Sequence, residues 1–425
     1  MEHDRVFQMA ASNVRFGPGC TAEIGADLRA MAARRTLVVM DPNLRQQPVA
    51  DVVIQSLQTS GIAFDIFSEV RIEPTDISFQ AAAAAATNGG FDSFVAVGGG
   101  SAIDTAKAAN LYSTWPADFL TYVNAPVGAG QPVPGPLKPL IAVPTTAGTG
   151  SETTAVAVFD FVQQKVKTGI SHRFLKPTLG IIDPENTRTL PPAVAAASGL
   201  DVLSHALESF TALPYDQRPK PDRPGQRPAY QGANPISDLW SLHALKLMAE
   251  FLPRAFTDAT DDEARANMLL ASTIAGIGFG NAGVHLPHAM AYPVAGMVKT
   301  FRPDGYNADH AMVPHGMSVI LNTPAVARFT ASCSPHRHLQ AAAALGANIR
   351  DADPDDAGDI LAERIVHFMK VTQMPNGLSS VGYTEADIPA LVSGTLSQHR
   401  LTSLSPRPAN ETTLTELFRK SMNCF

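Results

Sequence analysis

The stretch "SFVAVGGGSAIDTAK", residues 93–107, runs an apolar strand pattern into three glycines, and the glycines into a helix-forming segment. Gly98, Gly99 and Gly100 let the backbone turn sharply and approach a ligand closely. Ser101 stands where it can cap the following helix, and Asp104, three residues on, completes a capping-box pattern. A glycine-rich turn feeding a helix presents N–H groups to an anion, and a dinucleotide pyrophosphate is the usual occupant. A merely tight strand-to-helix turn is the competing reading.

Similar strand patterns lie on either side: "TLVVM" (36–40), "IAFDIF" (62–67), "LIAVP" (140–144) and "LGIID" (179–183), separated by helical patterns such as the alanine run at 81–86. That alternation predicts an α/β dinucleotide-binding domain over residues 1–190, a largely parallel sheet with helices on both faces. A second loop, "PTTAGTGSE" (144–152), offers Thr145, Thr146, Thr149 and Ser151 at the carboxyl end of a strand, where open α/β sheets place their ligands. Asp41 ends the "TLVVM" strand, ahead of the glycines rather than about 20 residues after them, so this is not the GxGxxG fingerprint. Asp41 either hydrogen-bonds the adenosine ribose, favouring NAD over NADP, or is a turn residue ahead of Pro42.

After "RTLPPAVAAASGLD" the strand signal stops, and residues 191–425 read as an all-α domain whose start is marked by Pro191 and Pro192. A length of 425 residues suits two domains. The segment 213–235, rich in proline and basic residues, reads as a surface loop whose cations (Arg218, Lys220, Arg223, Arg227) are either solvated or near a pocket mouth. A formal net charge of −7 with no basic stripe argues against a nucleic-acid partner. No apolar run approaches the roughly 18 residues of a membrane span. Cys20, Cys333 and Cys424 are odd in number and lack CxxC spacing, which suggests neither a disulfide framework nor a cysteine zinc site. The N-terminus contains acids and no apolar core of a signal peptide, and the expectation is a cytoplasmic protein.

The helical half carries its own chemistry. In "GLDVLSHALES" (199–209), Asp201 and His205 are four apart and project from one helical face. They form either half of a divalent-metal site or an ordinary i,i+4 pair. "AGVHLPHAMAYPVAG" (282–296) and "MVPHGMS" (312–318) offer His285, His288 and His315 for the other half.

"GGGSAIDTAK", "PTTAGTGSE", "GLDVLSHALES", "HAMAYPVAG" and "VPHGMS", in that order, resemble the signature of the iron-containing alcohol dehydrogenase family over nearly the whole chain. The resemblance implies a metal held by Asp201, His205, His288 and His315, with His285 left as a core residue beside the site. The metal would be Fe(II), with Zn(II) or another divalent ion as alternatives, and the cofactor NAD. Tyr292 departs from the pattern, because many members have a histidine there, close to nicotinamide and substrate. The "AYQGANPISD" and "GIGFGNAGVHLPHAMAYP" segments are similar to a branch that exchanges hydride between 4-hydroxybutyrate and 2-oxoglutarate. The other expectation is an NAD-dependent alcohol dehydrogenase with an exchangeable cofactor. The partners implied are small hydroxy- and oxo-acids or alcohols, with a homo-oligomer allowed. Lys167 matches a family lysine near the cofactor, and with Arg173, Lys299 and Arg302 it is a candidate for the substrate carboxylate, each against the reading of a solvated surface charge.

Overall fold

A computed structural model describes residues 2–425. The chain divides into two compact units, Ala11–Leu190 and a second made of Met1–Ala10 with Pro191–Phe425. The first unit holds strands β1 (Val14–Phe16), β2 (Arg35–Met40), β3 (Ala63–Phe67), β4 (Ser93–Gly98), β5 (Leu140–Pro144), β6 (Val156–Phe161), β7 (Val166–Ser171) and β8 (Leu179–Ile182). Its helices are α1 (Ile24–Ala30), α2 (Pro48–Thr59), α3 (Asp76–Gly89) and α4 (Gly100–Thr114). Six strands form one parallel sheet in the order β1-β8-β5-β4-β2-β3. β6 and β7 form a separate antiparallel hairpin that the sequence reading did not anticipate.

Alternation along the strands builds two cores. Val38 and Met40 of β2, with Val95 and Val97 of β4, pack against Ile24 and Leu28 of α1 and Val53 and Leu57 of α2. Their neighbours Leu37, Val39, Phe94 and Ala96 face the alanines of α3 and α4 on the other side. Side chains of period two, both faces apolar, are what a doubly covered parallel sheet requires. β2 leads outward to β3 and β4 leads the other way to β5, so the connection reverses between β2 and β4, and ligands of open α/β sheets bind beyond the carboxyl ends at such a point.

The helical unit contains α5 (Pro192–Thr211), α6 (Pro235–Thr257), α7 (Asp262–Ala282), α8 (Leu286–Gly296), α9 (His315–Ile320), α10 (Thr323–Thr330), α11 (Pro335–Ala344), α12 (Ala357–Val371), α13 (Ile388–Leu396), α14 (His399–Thr402) and α15 (Glu411–Ser421). Helix α5 is buried almost all round and packs against α6, α7 and α9. Asn234 caps α6, its side-chain oxygen accepting from the N–H groups of Ile236 and Ser237, and Pro235 fills the first helical position. Gly283, at φ +94°, closes α7, and α8 then leaves at 104° to it. No single helix among the described residues is long and apolar enough to cross a membrane.

Candidate functional site

In the α/β unit the two glycine-and-hydroxyl loops meet. A Cβ on Gly99 would lie 3.0 Å from Thr146 Oγ1, and one on Gly100 would lie 2.7 Å from Thr149 Cγ2. The Thr145 N–H donates to the Gly98 carbonyl at 3.1 Å. Gly98 sits at φ +148°, against the side chains of Ala102 and Asp41. No side chain caps α4, whose N-cap is Gly99.

The expected capping box is therefore absent. Ser101 Oγ instead accepts from the Glu73 N–H at 3.3 Å. Asp104 lies in the second turn and ties the loops together: Oδ1 accepts from the Ser151 hydroxyl, and Oδ2 accepts from the Val158 N–H at 2.9 Å. Lys107, fully buried, donates to Ser151 Oγ at 2.7 Å and to Asp104 Oδ1 at 3.3 Å. The sequence pattern misled because a carboxylate in the second turn of a helix serves a distant loop as readily as its own N-terminus. Asp41 Oδ1 accepts from the backbone and side-chain nitrogens of Asn43 at 2.9 and 3.1 Å, so Asp41 does make the turn ahead of Pro42, with Oδ2 outside those bonds.

In the helical unit, Asp201 Oδ1 lies 3.8 Å from His205 Nε2, 3.7 Å from His288 Nε2 and 3.8 Å from His315 Nε2. Each of the four residues offers one donor atom within 4.8 Å of all the others. Four ligands held about 2.1 Å from a central ion stand about 3.4 Å apart if tetrahedral, so the distances from Asp201 to the three imidazoles are within a few tenths of an ångström of those a divalent metal would set. Asp201, His205 and His288 are buried, whereas the His315 side chain is 23% exposed, which leaves one open side. His288 Nε2 is shut from solvent with no hydrogen-bond partner, as expected of an atom that coordinates a cation.

Neighbouring residues fix these rings. His288 Nδ1 is 2.6 Å from Glu208 Oε1, and because a carboxylate only accepts, the ring proton sits on Nδ1 and the Nε2 lone pair is free for the metal. Glu208 Oε2 accepts the N–H of His285 at 2.7 Å and of His288 at 3.3 Å. Burial opposes protonation of His288, but the Glu208 charge and hydrogen bond outweigh it and raise its pKa. His205 stacks on Phe279 at 3.9 Å. Gly316 brings α9 against α5: a Cβ there would overlap the Ala197 carbonyl and lie 2.8 Å from Asp201 Cβ. Glu208 lies inside a motif the sequence reading quoted and was passed over; its spacing, seven after Asp201, was the available signal.

His285 stays outside the cluster, its Nε2 3.1 Å from Thr211 Oγ1, and burial pushes its pKa down to about 4. Tyr292 is buried and interacts electrostatically with the Arg400 guanidinium. Lys167 is not an available cation: it is fully buried, with Glu73 Oε2 at 2.7 Å and Asp160 Oδ1 at 2.9 Å. Two carboxylates already match its charge, so it stands in a buried ion cluster. Lys299 pairs with Asp387 at 2.7 Å, Arg302 donates to the carbonyls of Ala308 and Asp309, and Arg173 lies over the Phe174 ring. In the proline-rich segment Arg218 and Arg227 pair with Asp4, and Lys220 pairs with Glu2.

Comparison with known proteins covers both units. Residues 11–184 match the model "Iron-containing alcohol dehydrogenase", and residues 229–422 match "Fe-containing alcohol dehydrogenase family, C-terminal". The chain is 55% identical over 424 residues to the Bos taurus protein named "Hydroxyacid-oxoacid transhydrogenase, mitochondrial", covering 99% of this chain and 91% of that one. The Homo sapiens protein of that name is 54% identical over 99% of this chain and 91% of its own length. A solved 1,3-propanediol oxidoreductase superposes with a TM-score of 0.86 at 28% identity, covering 98% and 100% of the two chains. Sulfoacetaldehyde reductase from Bifidobacterium kashiwanohense, in complex with NAD+, does so at 0.80 and 27% identity, covering 99% of each. The relatives' names carry "mitochondrial", which overturns the cytoplasmic expectation. The acids at residues 2 and 4 on which it stood serve a local purpose, pairing with the basic segment.

Proposed function

Because this chain belongs to the iron-containing alcohol dehydrogenase family, we propose that it passes hydride from a hydroxyacid to an oxoacid through a nicotinamide. In this reading 4-hydroxybutyrate is oxidised to succinate semialdehyde and 2-oxoglutarate is reduced to 2-hydroxyglutarate. The first half-reaction releases a hydride and a proton and the second takes up both, so the pair balances without an outside oxidant. The supporting observation is one carboxylate oxygen, Asp201 Oδ1, set 3.7–3.8 Å from three imidazole nitrogens, in a chain 55% identical to a protein named a hydroxyacid-oxoacid transhydrogenase.

Asp201, His205, His288 and His315 are the proposed ligands of a divalent ion. Such an ion supplies Lewis acidity toward the substrate oxygen, and the nicotinamide accepts and returns the hydride. Three imidazoles and a carboxylate suit Fe(II), which the family's name favours, and Zn(II) as well. Glu208 holds the His288 ring with Nε2 inward. Gly98, Gly99, Gly100 and Ser101 would take the pyrophosphate of NAD at the uncapped start of α4, with Thr145, Thr146, Thr149 and Ser151 beside them. Asp104 acts one step back, by fixing Ser151. Asp41 Oδ2 would accept from the ribose and repel a 2′-phosphate. Tyr292 is engaged with the Arg400 guanidinium, so it positions rather than relays protons.

The test uses metal-loaded protein purified without added nucleotide, given 4-hydroxybutyrate and 2-oxoglutarate and followed by mass spectrometry. Both products are expected without free NAD. Turnover only with added NAD, with simple alcohols used as well as 4-hydroxybutyrate, supports the alcohol dehydrogenase reading instead.

A further inference from the structure

Both proposed substrates share one dimension. In 4-hydroxybutyrate the carboxylate carbon is three C–C bonds from the carbon that loses hydride, and in 2-oxoglutarate the distal carboxylate carbon is three C–C bonds from the carbon that gains it. A single fixed cation would therefore serve both half-reactions. Of the four cations singled out in the sequence, Lys167 is spent on two carboxylates and Lys299 on one, Arg302 is bonded to backbone carbonyls, and Arg173 is exposed over an aromatic ring.

Arg400 was not among them. It lies on the short helix α14, which packs against α8, the helix carrying His288 and Tyr292. Its guanidinium interacts electrostatically with the phenols of Tyr292 and Tyr230 and stands 4.8 Å from the Tyr230 ring centroid. No carboxylate among the described residues forms an ion pair with it, and its Nη1 is shut from solvent without a hydrogen-bond partner. A guanidinium partnered only by neutral phenols keeps its full charge, and burying such a charge without an anion is costly. Tyr292 is one helical turn beyond His288, a rise of about 6 Å. The reach from the hydroxyl oxygen of 4-hydroxybutyrate to its carboxyl carbon is about 5 Å.

Resting on the hydroxyacid–oxoacid reading above, we infer that Arg400, oriented by Tyr292 and Tyr230, binds the remote carboxylate of the hydroxyacid and, in the second half-reaction, of the oxoacid. A tyrosine at position 292 suits this role where a histidine would not: a phenol oxygen accepts from the guanidinium without adding a titrating positive charge beside it. The planar fork of arginine matches a carboxylate through two parallel hydrogen bonds.

The experiment compares kcat/KM for 4-hydroxybutyrate with that for butan-1-ol, which lacks the carboxylate, in the unchanged protein, Arg400→Gln and Arg400→Lys, with metal content and melting temperature measured for each. Arg400→Gln is expected to lower the ratio about 100-fold, mainly through KM for the acid, and to weaken 2-oxoglutarate against butanal to a similar degree. Arg400→Lys, which keeps the charge and loses the fork, should lower it about 10-fold, and it reads the same quantity if the glutamine variant fails to fold. An unchanged ratio in a variant that retains its metal overturns the role of Arg400 alone. A ratio near one in the unchanged protein overturns the hydroxyacid reading itself, before any variant is compared.

Discussion

Glu208 spends both carboxylate oxygens on the segment that carries His288, one on the ring and one on two backbone N–H groups. An amide can match the ring but not the two N–H donors as well, so Glu208→Gln is expected to weaken metal binding about 10–100-fold, read by competition with a chelator. Unchanged affinity would leave Glu208 a structural residue only. His285, three residues earlier, tells a different story: burial holds its pKa at about 4 against the ordinary 6.5. Between those values the unfolded chain binds a proton that the folded chain refuses. The stability it contributes is complete above pH 6.5 and is lost as the pH falls toward 4, roughly 3 kcal/mol over the window. His285→Gln should flatten denaturant midpoints between pH 7 and 5 relative to the unchanged protein, and parallel curves would sink this account. The two histidines look alike in sequence, and only their partners, Glu208 and Thr211, separate them.

At the scale of elements, the metal ligands come from the middle of α5, from α8 and from the first residue of α9. The approach of α9 to α5 depends on Gly316, where any Cβ would collide with the Ala197 carbonyl. Gly316→Ala is expected to cost about 1–3 kcal/mol by overpacking and to displace His315, lowering metal occupancy in elemental analysis while the α/β unit keeps its spectroscopic signature. Full occupancy with unchanged stability would show that α9 has slack. Strands β2, β3, β4, β5 and β8 were legible because apolar runs punctuated by glycine and proline have few other uses. The β6–β7 hairpin was not, since its "FVQQKVKTGIS" sequence owes its register to antiparallel partners rather than to a two-sided core. Asp104 was misassigned for a related reason: local spacing pointed to Ser101, but the partners that decided its orientation, Ser151 and Val158, lie some fifty residues on.

At the scale of the whole chain, residues 2–10 belong with the helical unit rather than with the α/β unit that follows them. Asp4 pairs with Arg218 and Arg227, the Gln8 N–H donates to the Gln231 side chain at 2.8 Å, and the Ala10 N–H donates to the Asn281 side chain at 2.8 Å. Removing residues 2–9 should therefore lower the melting temperature of the helical unit by roughly 5 °C and speed proteolytic cleavage within 213–235, leaving the α/β unit's transition in place. Calorimetry with limited proteolysis checks this, and an unchanged cleavage rate would show that the segment holds its own conformation.

The sequence by itself determined the two kinds of architecture, through two-residue alternation in the strands and helical spacing after Pro192, while five ordered motifs carried the resemblance that named the family and implied the four metal ligands. Only the tertiary structure decided which charges are spent and which remain. Lys167 and Arg400 are both cations in the sequence, but one is enclosed by two carboxylates and the other by two phenols. The physical reason is that the availability of a charge depends on what lies within a few ångströms of it, and for Lys167 and Arg400 the neighbours Glu73, Tyr292 and Tyr230 lie roughly 90 to 170 residues away along the chain.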